Sequence, residues 1–448
     1  MRKVWQETLV IFTLLALATA VSFAQDSDAI TKVDKSQNSA RNIHVGPRGH
    51  LNGQAHARFG STGFDSLITF NDHFDTFGYD SDGNPNYKWF TNTMGNPPAI
   101  GGTTKINAPI IPVIMDLRNF DGSPRYVKVV GGVVTTCTTD LTGCQPLVSD
   151  PTHAYNAGGG DLTQLLIQSP IFSNTAFSSS DVPTQVTDAV QRAEYYNHMK
   201  PNWHTVLSPV QKATRRMVLV RGTYSFRLNP DGSCCDFIEV AGGAFVNAFF
   251  PSGAPPFLPG THDGDTPIGG AEFSGDITTK DMSTFFFPQV YLLSGGCCVI
   301  GFHSYDFELG DASNKNQERR YVLNYSSWIN PGFFFDPTFL DITASSHEVA
   351  ETYNDPFVAS DGIHNIVPWW NSNGLCQNNL EDGDVIEVLP NATYPVQMAN
   401  GFTYHPQNEA LLPYFQRKSP SDALHGAYSY PNESTLAGIS APQTAGCQ

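Results

Sequence analysis

Basic residues are scarce in this 448-residue chain, where 25 Lys and Arg stand against 42 Asp and Glu for a formal net charge of −17. That balance excludes nucleic acid and anionic membrane surfaces as partners. Charged residues of both signs make up only 15%, whereas there are 30 Phe and 17 Tyr. Such a composition points to an aromatic-rich, strand-rich chain rather than a helical one. Eight cysteines are too few for a disulfide scaffold at this length. Beyond the first 24 residues, Gly, Pro or polar residues interrupt every apolar stretch, so none can span a bilayer. A G-x-S-x-G elbow, a P-loop and a dinucleotide fingerprint are all absent, which leaves those chemistries without a motif.

The beginning of the chain reads as a secretory signal. Arg2 and Lys3 supply the positive start, Leu9 to Val21 the apolar core, and Ser22-Phe23-Ala24 a small-x-small cleavage site. The expected mature chain is secreted or periplasmic, and its length suits about two domains. Export favours oxidised cysteines. Cys137 and Cys144 are close enough for a local bridge, while Cys234-Cys235 and Cys297-Cys298 can each form a vicinal bridge or staple two strands.

Residues 25–60 are polar and aperiodic and read as a disordered leader or pro-segment. Residues 61–180 form a β-rich N-terminal region, with short apolar runs at Ile106–Met115 and Tyr126–Val134. Val186–Met199 has helical spacing. Arg216–Leu228 and Phe237–Phe250 read as strands joined through the turn Asn229-Pro230-Asp231-Gly232, and Phe285–Leu293 and Tyr321–Ile329 as two more. A helix is expected from about Asp341 to Tyr353, ended by Asn354-Asp355-Pro356, because the residue before Pro is pushed out of the α region.

The strongest signal lies on that helix, as His347-Glu348-Val349-Ala350-Glu351. Between Arg320 and Arg417 there is no Lys or Arg, yet the stretch holds eleven carboxylates: Asp336, Asp341, Glu348, Glu351, Asp355, Asp361, Glu381, Asp382, Asp384, Glu387 and Glu409. Carboxylates without counter-charges repel one another and resist folding, and a bound cation is the simplest remedy. His347 and Glu351 are four apart and share a helix face, so both can reach one ion. Glu348 can deprotonate a water held there, which is the logic of H-E-x-x-H zinc hydrolases with Glu in place of the second His. The competing reading is a capping box, Ser345-x-x-Glu348, with His347 and Glu351 an ordinary i,i+4 pair. For the third ligand Glu381 is preferred, then Asp384, with His364 and His405 behind; Asp355 is expected only to end the helix. The metzincin third position is Phe357, which rules that layout out. Hard oxygen ligands at 377–384 also suit Ca2+. His303 is weighed as a cleft residue or a satisfied strand histidine, and Trp369-Trp370 as a substrate wall or core.

The segments Ser346–Glu351 and Asn354-Asp355-Pro356 are similar to a helix closed by N-P in the plant phosphate-induced, exordium-type secreted proteins, and Cys298–His303 resembles the strand that precedes it there. Secreted HExxE zincin-like bacterial proteins of metallopeptidase type show a closer set, matched here by the helix, Asp355-Pro356, Trp369 and Cys376–Asp384. The resemblance covers roughly residues 290–390. It implies a zincin-like metal-site domain over 181–448, with His347 and Glu351 as ligands and Glu348 as base. The resulting expectation is an α+β, β-rich exported protein carrying an HEVAE active-site helix. It would be a Zn2+-dependent hydrolase, most simply an endopeptidase acting on polypeptide or cell-surface substrates. Against it stands a non-catalytic exported surface or binding protein of exordium type with a structural metal.

Overall fold

The computed structural model describes residues 31–32, 64–74, 78–79, 85–86, 89–130, 133–152, 161–175, 183–228, 237–251, 266–293, 297–308, 311–330, 339–358, 369–370, 376–377, 380–416 and 418–437. The signal segment, the pair Cys234-Cys235, His364 and all of the leader except Thr31–Lys32 lie outside these residues. Thr31–Lys32 is a short strand paired in parallel with Arg227 and Leu228.

The architecture is β-rich with few helices. The larger sheet has eight strands, of which two, Phe64–Asp65 and Val148–Ser149, are short edge pieces; the other six are β1 (Thr103–Arg118), β2 (His204–Gln211), β3 (Arg215–Val220), β4 (Met282–Pro288), β5 (Gly301–Glu308) and β6 (Glu318–Trp328). β2 and β3 follow one another along one side of β1, both parallel to it, with Leu207 opposite Ile106 and Met217 opposite Met115. β4 lies on the other side of β1 and is also parallel, with Phe285 opposite Ile111. β6 is parallel to β4, and β5 is antiparallel to β6 with His303 opposite Asn324. Three strands from the region 61–180 therefore stand in one sheet with five strands from 181–448.

Strand periodicity assigns the two faces of this sheet. Phe285 and Phe287 join a core that includes Tyr224, Ile238 and Val290 of a second sheet, whereas Phe286 turns to the opposite core. On β5, Phe302 faces the first core and Tyr305 the second. The second core is closed by two elements. One is helix α1 (Thr343–Asn354), through Val349 and Tyr353, with Ile342 just before it; the other is the segment at Phe357. Tyr353 Oη also donates to Thr205 O of β2 at 3.0 Å. The motif helix is thus clamped against the face of the sheet that carries His303.

Three apolar runs divide at points that carry no clear break in their patterning. Arg216–Leu228 is two strands, parted by a turn at Gly222, whose φ of +92° suits Gly. Phe237–Phe250 is a strand as far as Ala241 and then a helix over Gly242–Phe249, and Phe245 and Phe249, four apart, share its buried face. Phe285–Leu293 changes sheet at Gln289, which takes a left-handed φ of 54° between β4 and Val290–Leu293. The expected hairpin does form, with Tyr224 opposite Val240. The helix read over Val186–Met199 is shorter, Val186–Glu194, and leaves Tyr196 exposed. A disulfide joins Cys137 to Cys144, and Cys298 and Cys376 are disulfide-bonded as well.

Candidate metal centre

Helix α1 is buried along its whole length. It stops at Asp355, whose non-helical backbone precedes Pro356 and whose carboxylate accepts from Leu380 N at 3.2 Å. That bond ties the helix end to the segment carrying Glu381, Asp382 and Asp384. The helix begins at Thr343, so Ser345 is inside the first turn and Glu348 is mid-helix. The capping-box reading of Ser345 and Glu348 is therefore removed.

His303, His347, Glu348, Glu351, Glu381 and Asp384 are all 0% exposed. His347 Nε2 lies 2.9 Å from Glu351 Oε1 and 3.6 Å from Asp384 Oδ1. His303 Nδ1 lies 3.3 Å from Glu351 Oε2, 3.7 Å from Glu348 Oε2 and 3.9 Å from Glu381 Oε2. The donors form two groups that could hold a metal ion, His303 with Glu351 and Glu381, and His347 with Glu351 and Asp384. Within each group the ligand atoms lie within 4.8 Å of one another. The His347, Glu351 and Glu381 expected as ligands are divided between the two groups, which share Glu351, and Glu348 stands beside the His303 group.

Surrounding residues orient this set. His347 Nδ1 is 3.1 Å from Gln407 Oε1, while Gln407 Nε2 donates to Gly383 O at 2.7 Å and Gln407 N to Ser346 Oγ at 2.8 Å. Gln407 is therefore placed to accept from Nδ1, leaving Nε2 as the ligand atom. Gly383 N donates to Glu351 Oε1 at 3.1 Å, and Gln377 Nε2 donates to Asp384 Oδ2. Two glycines make room for the motif. A Cβ on Gly383 would fall 2.7 Å from His347 Cγ, and one on Gly301 would fall 2.6 Å from Glu348 Cγ.

The electrostatics are those of a buried, acid-rich cluster. Burial pushes Glu348 up to about 7, with His303 opposing the shift. Burial, reinforced by Glu351 and Asp384, raises Glu381 well above the carboxylate range. Burial also works against the charge on Glu351, but the two histidines outweigh it and hold this group low. Burial disfavours a charged His303, yet Glu348 and Glu351 lift it to about 10. Among the described residues, the cationic partners of Glu348, Glu351 and Glu381 are histidines alone.

These residues fit a divalent cation. Neither oxygen of Glu348 or Glu381, and neither ring nitrogen of His303, has a hydrogen-bond partner among the described residues. Leaving such groups buried and unsatisfied costs several kcal/mol, and an ion bound by His303 and Glu381 would remove that cost for those two. Imidazole nitrogens mixed with carboxylate oxygens suit zinc and its first-row neighbours, whereas calcium takes oxygen ligands.

The remaining candidates lie apart from this set. His405 Nδ1 is 2.7 Å from Asp341 Oδ2. Trp369 is buried against Phe415 with ring centroids 5.4 Å apart, the core reading of that residue. His303 is the residue that sequence reasoning undervalued, and Gln407 and Gln377 were missed. A histidine two residues after Gly301 on a strand was a faint signal for the first, and the glutamines carried none. Comparison with family models, with curated proteins and with solved structures finds no match to this chain.

Proposed function

We propose that the chain is an exported, zinc-dependent hydrolase of zincin-like type, acting on polypeptide substrates. The observation that carries this reading is Glu348, a mid-helix carboxylate with 0% exposure that accepts no hydrogen bond from a described residue and stands beside two histidines and two further carboxylates. A structural helix gains nothing from such a group, whereas a metal hydrolase needs it.

His303, His347, Glu351, Glu381 and Asp384 are the residues from which the metal ligands would come. When bound there, zinc supplies Lewis acidity toward a substrate oxygen. Glu348 accepts a proton from the attacking water and returns it to the leaving group. Raised to about 7, its carboxylate can do both near neutral pH. Gln407 keeps His347 in one tautomer, and Gly383 N–H and His303 fix the two oxygens of Glu351 in different directions.

One observation favours a second reading. All of these side chains are fully buried, as in a closed structural site. The protein would then be a non-catalytic surface or binding protein of exordium type. Metal analysis of the purified mature chain, run beside hydrolysis of a mixed protein substrate, separates the two. Zinc together with hydrolysis that stops on chelation supports the hydrolase. Zinc with no hydrolysis, but with a melting temperature that drops on chelation, supports the structural site. Protein never exposed to chelator and free of divalent ions would overturn both.

A further inference from the structure

The donors around Glu351 are too many and too spread for one ion. Two donors on a single zinc can be separated by no more than twice the bond length, about 4.2 Å. The five donors here do not make one cluster even within 4.8 Å; they make two, which share Glu351 alone. The two oxygens of Glu351 point to different histidines, Oε1 to His347 Nε2 at 2.9 Å and Oε2 to His303 Nδ1 at 3.3 Å. A carboxylate that offers one oxygen to each of two donor sets has the form of a bridge between two metals.

We infer that the protein holds two divalent first-row ions bridged by Glu351, one completed by His347 and Asp384 and the other by His303 and Glu381. This rests on the reading of the site as a metal centre. The second position has support of its own. Glu381 and His303 are 0% exposed, and Glu381's two oxygens and both nitrogens of His303 are without hydrogen-bond partners among the described residues. If His347, Glu351 and Asp384 held the sole ion, those groups would stay buried and unsatisfied. A second ion gives Glu381 and His303 a common partner. Paired ions about 3.5–4 Å apart form a clamp on the attacking and leaving oxygens of a displacement, as in aminopeptidases and phosphatases. Placing them here makes the substrate class one whose hydrolysis uses two oxygen contacts.

The test uses the full mature chain, stripped by chelator and titrated with Co2+ under calorimetry, with Mn2+-loaded protein followed by electron paramagnetic resonance. Wild type is expected to take two Co2+ per chain and to show an exchange-coupled Mn2+ signal. His303→Gln and His347→Gln should each take one and lose the coupling. Saturation at one Co2+, with no coupling, overturns the proposal while leaving a single-metal centre intact. No binding at all overturns the metal reading itself. Two ions without coupling place the second elsewhere and also overturn the bridge. If a variant fails to fold, the wild-type stoichiometry and coupling decide alone.

Discussion

Gln407 holds His347 by the ring nitrogen opposite Glu351: Nδ1 is 3.1 Å from Gln407 Oε1, and the same amide donates to Gly383 O. The glutamine comes from a segment 60 residues further along the chain, and its own backbone N–H is anchored on Ser346 Oγ of the motif helix. It fixes both the tautomer and the ring plane that aim Nε2 at Glu351.

Removing that hold should weaken the metal without removing a ligand. Gln407→Ala is expected to lower zinc affinity by about 10–100-fold, the usual cost of losing an outer partner of a ligating histidine. Competition with a fluorescent chelator measures it. Wild-type affinity in the variant would show that His347 is oriented by packing alone.

The glycine beside the same ring gives a steric test. A Cβ on Gly383 would sit 2.7 Å from His347 Cγ, with a buried imidazole that has nowhere to retreat. Gly383→Ala should therefore lose about 1–3 kcal/mol by overpacking and a large part of its metal. Gly243→Ala is the control, because a Cβ there meets nothing within 4 Å. On an exposed helix position this change should stabilise by about 0.5–1 kcal/mol. Equal denaturation midpoints for the two variants would contradict the close fit.

Much of the motif's placement was legible in the chain, and the rest was hidden for physical reasons. The helix was readable because Asn354-Asp355-Pro356 stops it and His347 and Glu351 fall on one face. The carboxylate excess was readable because charge without counter-charge needs an explanation wherever the chain folds. The place of His303 was not, because period two gives a strand residue a face but not the element that covers that face. Gln407 is polar, local in no pattern, and becomes meaningful only through a long-range contact. Phe285–Leu293 looked like one strand because left-handed backbone at Gln289 leaves no mark in apolar patterning.

A second acidic pair, Glu272 and Asp306, outside the candidate metal centre, sets a pH dependence. Burial raises Glu272 to about 8, with Asp306 opposing the shift and Glu308 adding repulsion. A carboxyl whose folded pKa exceeds its unfolded value binds its proton more tightly in the folded state. Its contribution is complete below the unfolded value of 4.5 and is lost as pH rises through about 8. Unfolding free energy should therefore fall from pH 5 to pH 8, by at most about 1.4 kcal/mol per pH unit for this group. Glu272→Gln should flatten that slope. Urea unfolding at three pH values, on metal-loaded protein, reads the difference, and an unchanged slope in the variant would rule this group out as its source.

Glu348→Gln separates an enzyme from a bystander. As general base, Glu348 is outside the two ligand groups, so the variant should keep its zinc while turnover falls by about a hundredfold or more. In chelator-treated protein at pH 8 the same change should work the other way on stability. There Glu348, raised to about 7, is mostly charged and buried without a hydrogen-bond donor among the described residues, and a neutral amide of the same shape should gain about 1–3 kcal/mol. The two readouts come from one cause, a carboxylate kept in place at a cost to the fold. Loss of zinc in the variant would make Glu348 a ligand, and retained zinc with full turnover would end its role as base. A stability gain with no activity in either protein would fit the closed structural site, where the buried charge is balanced only by the ion beside it.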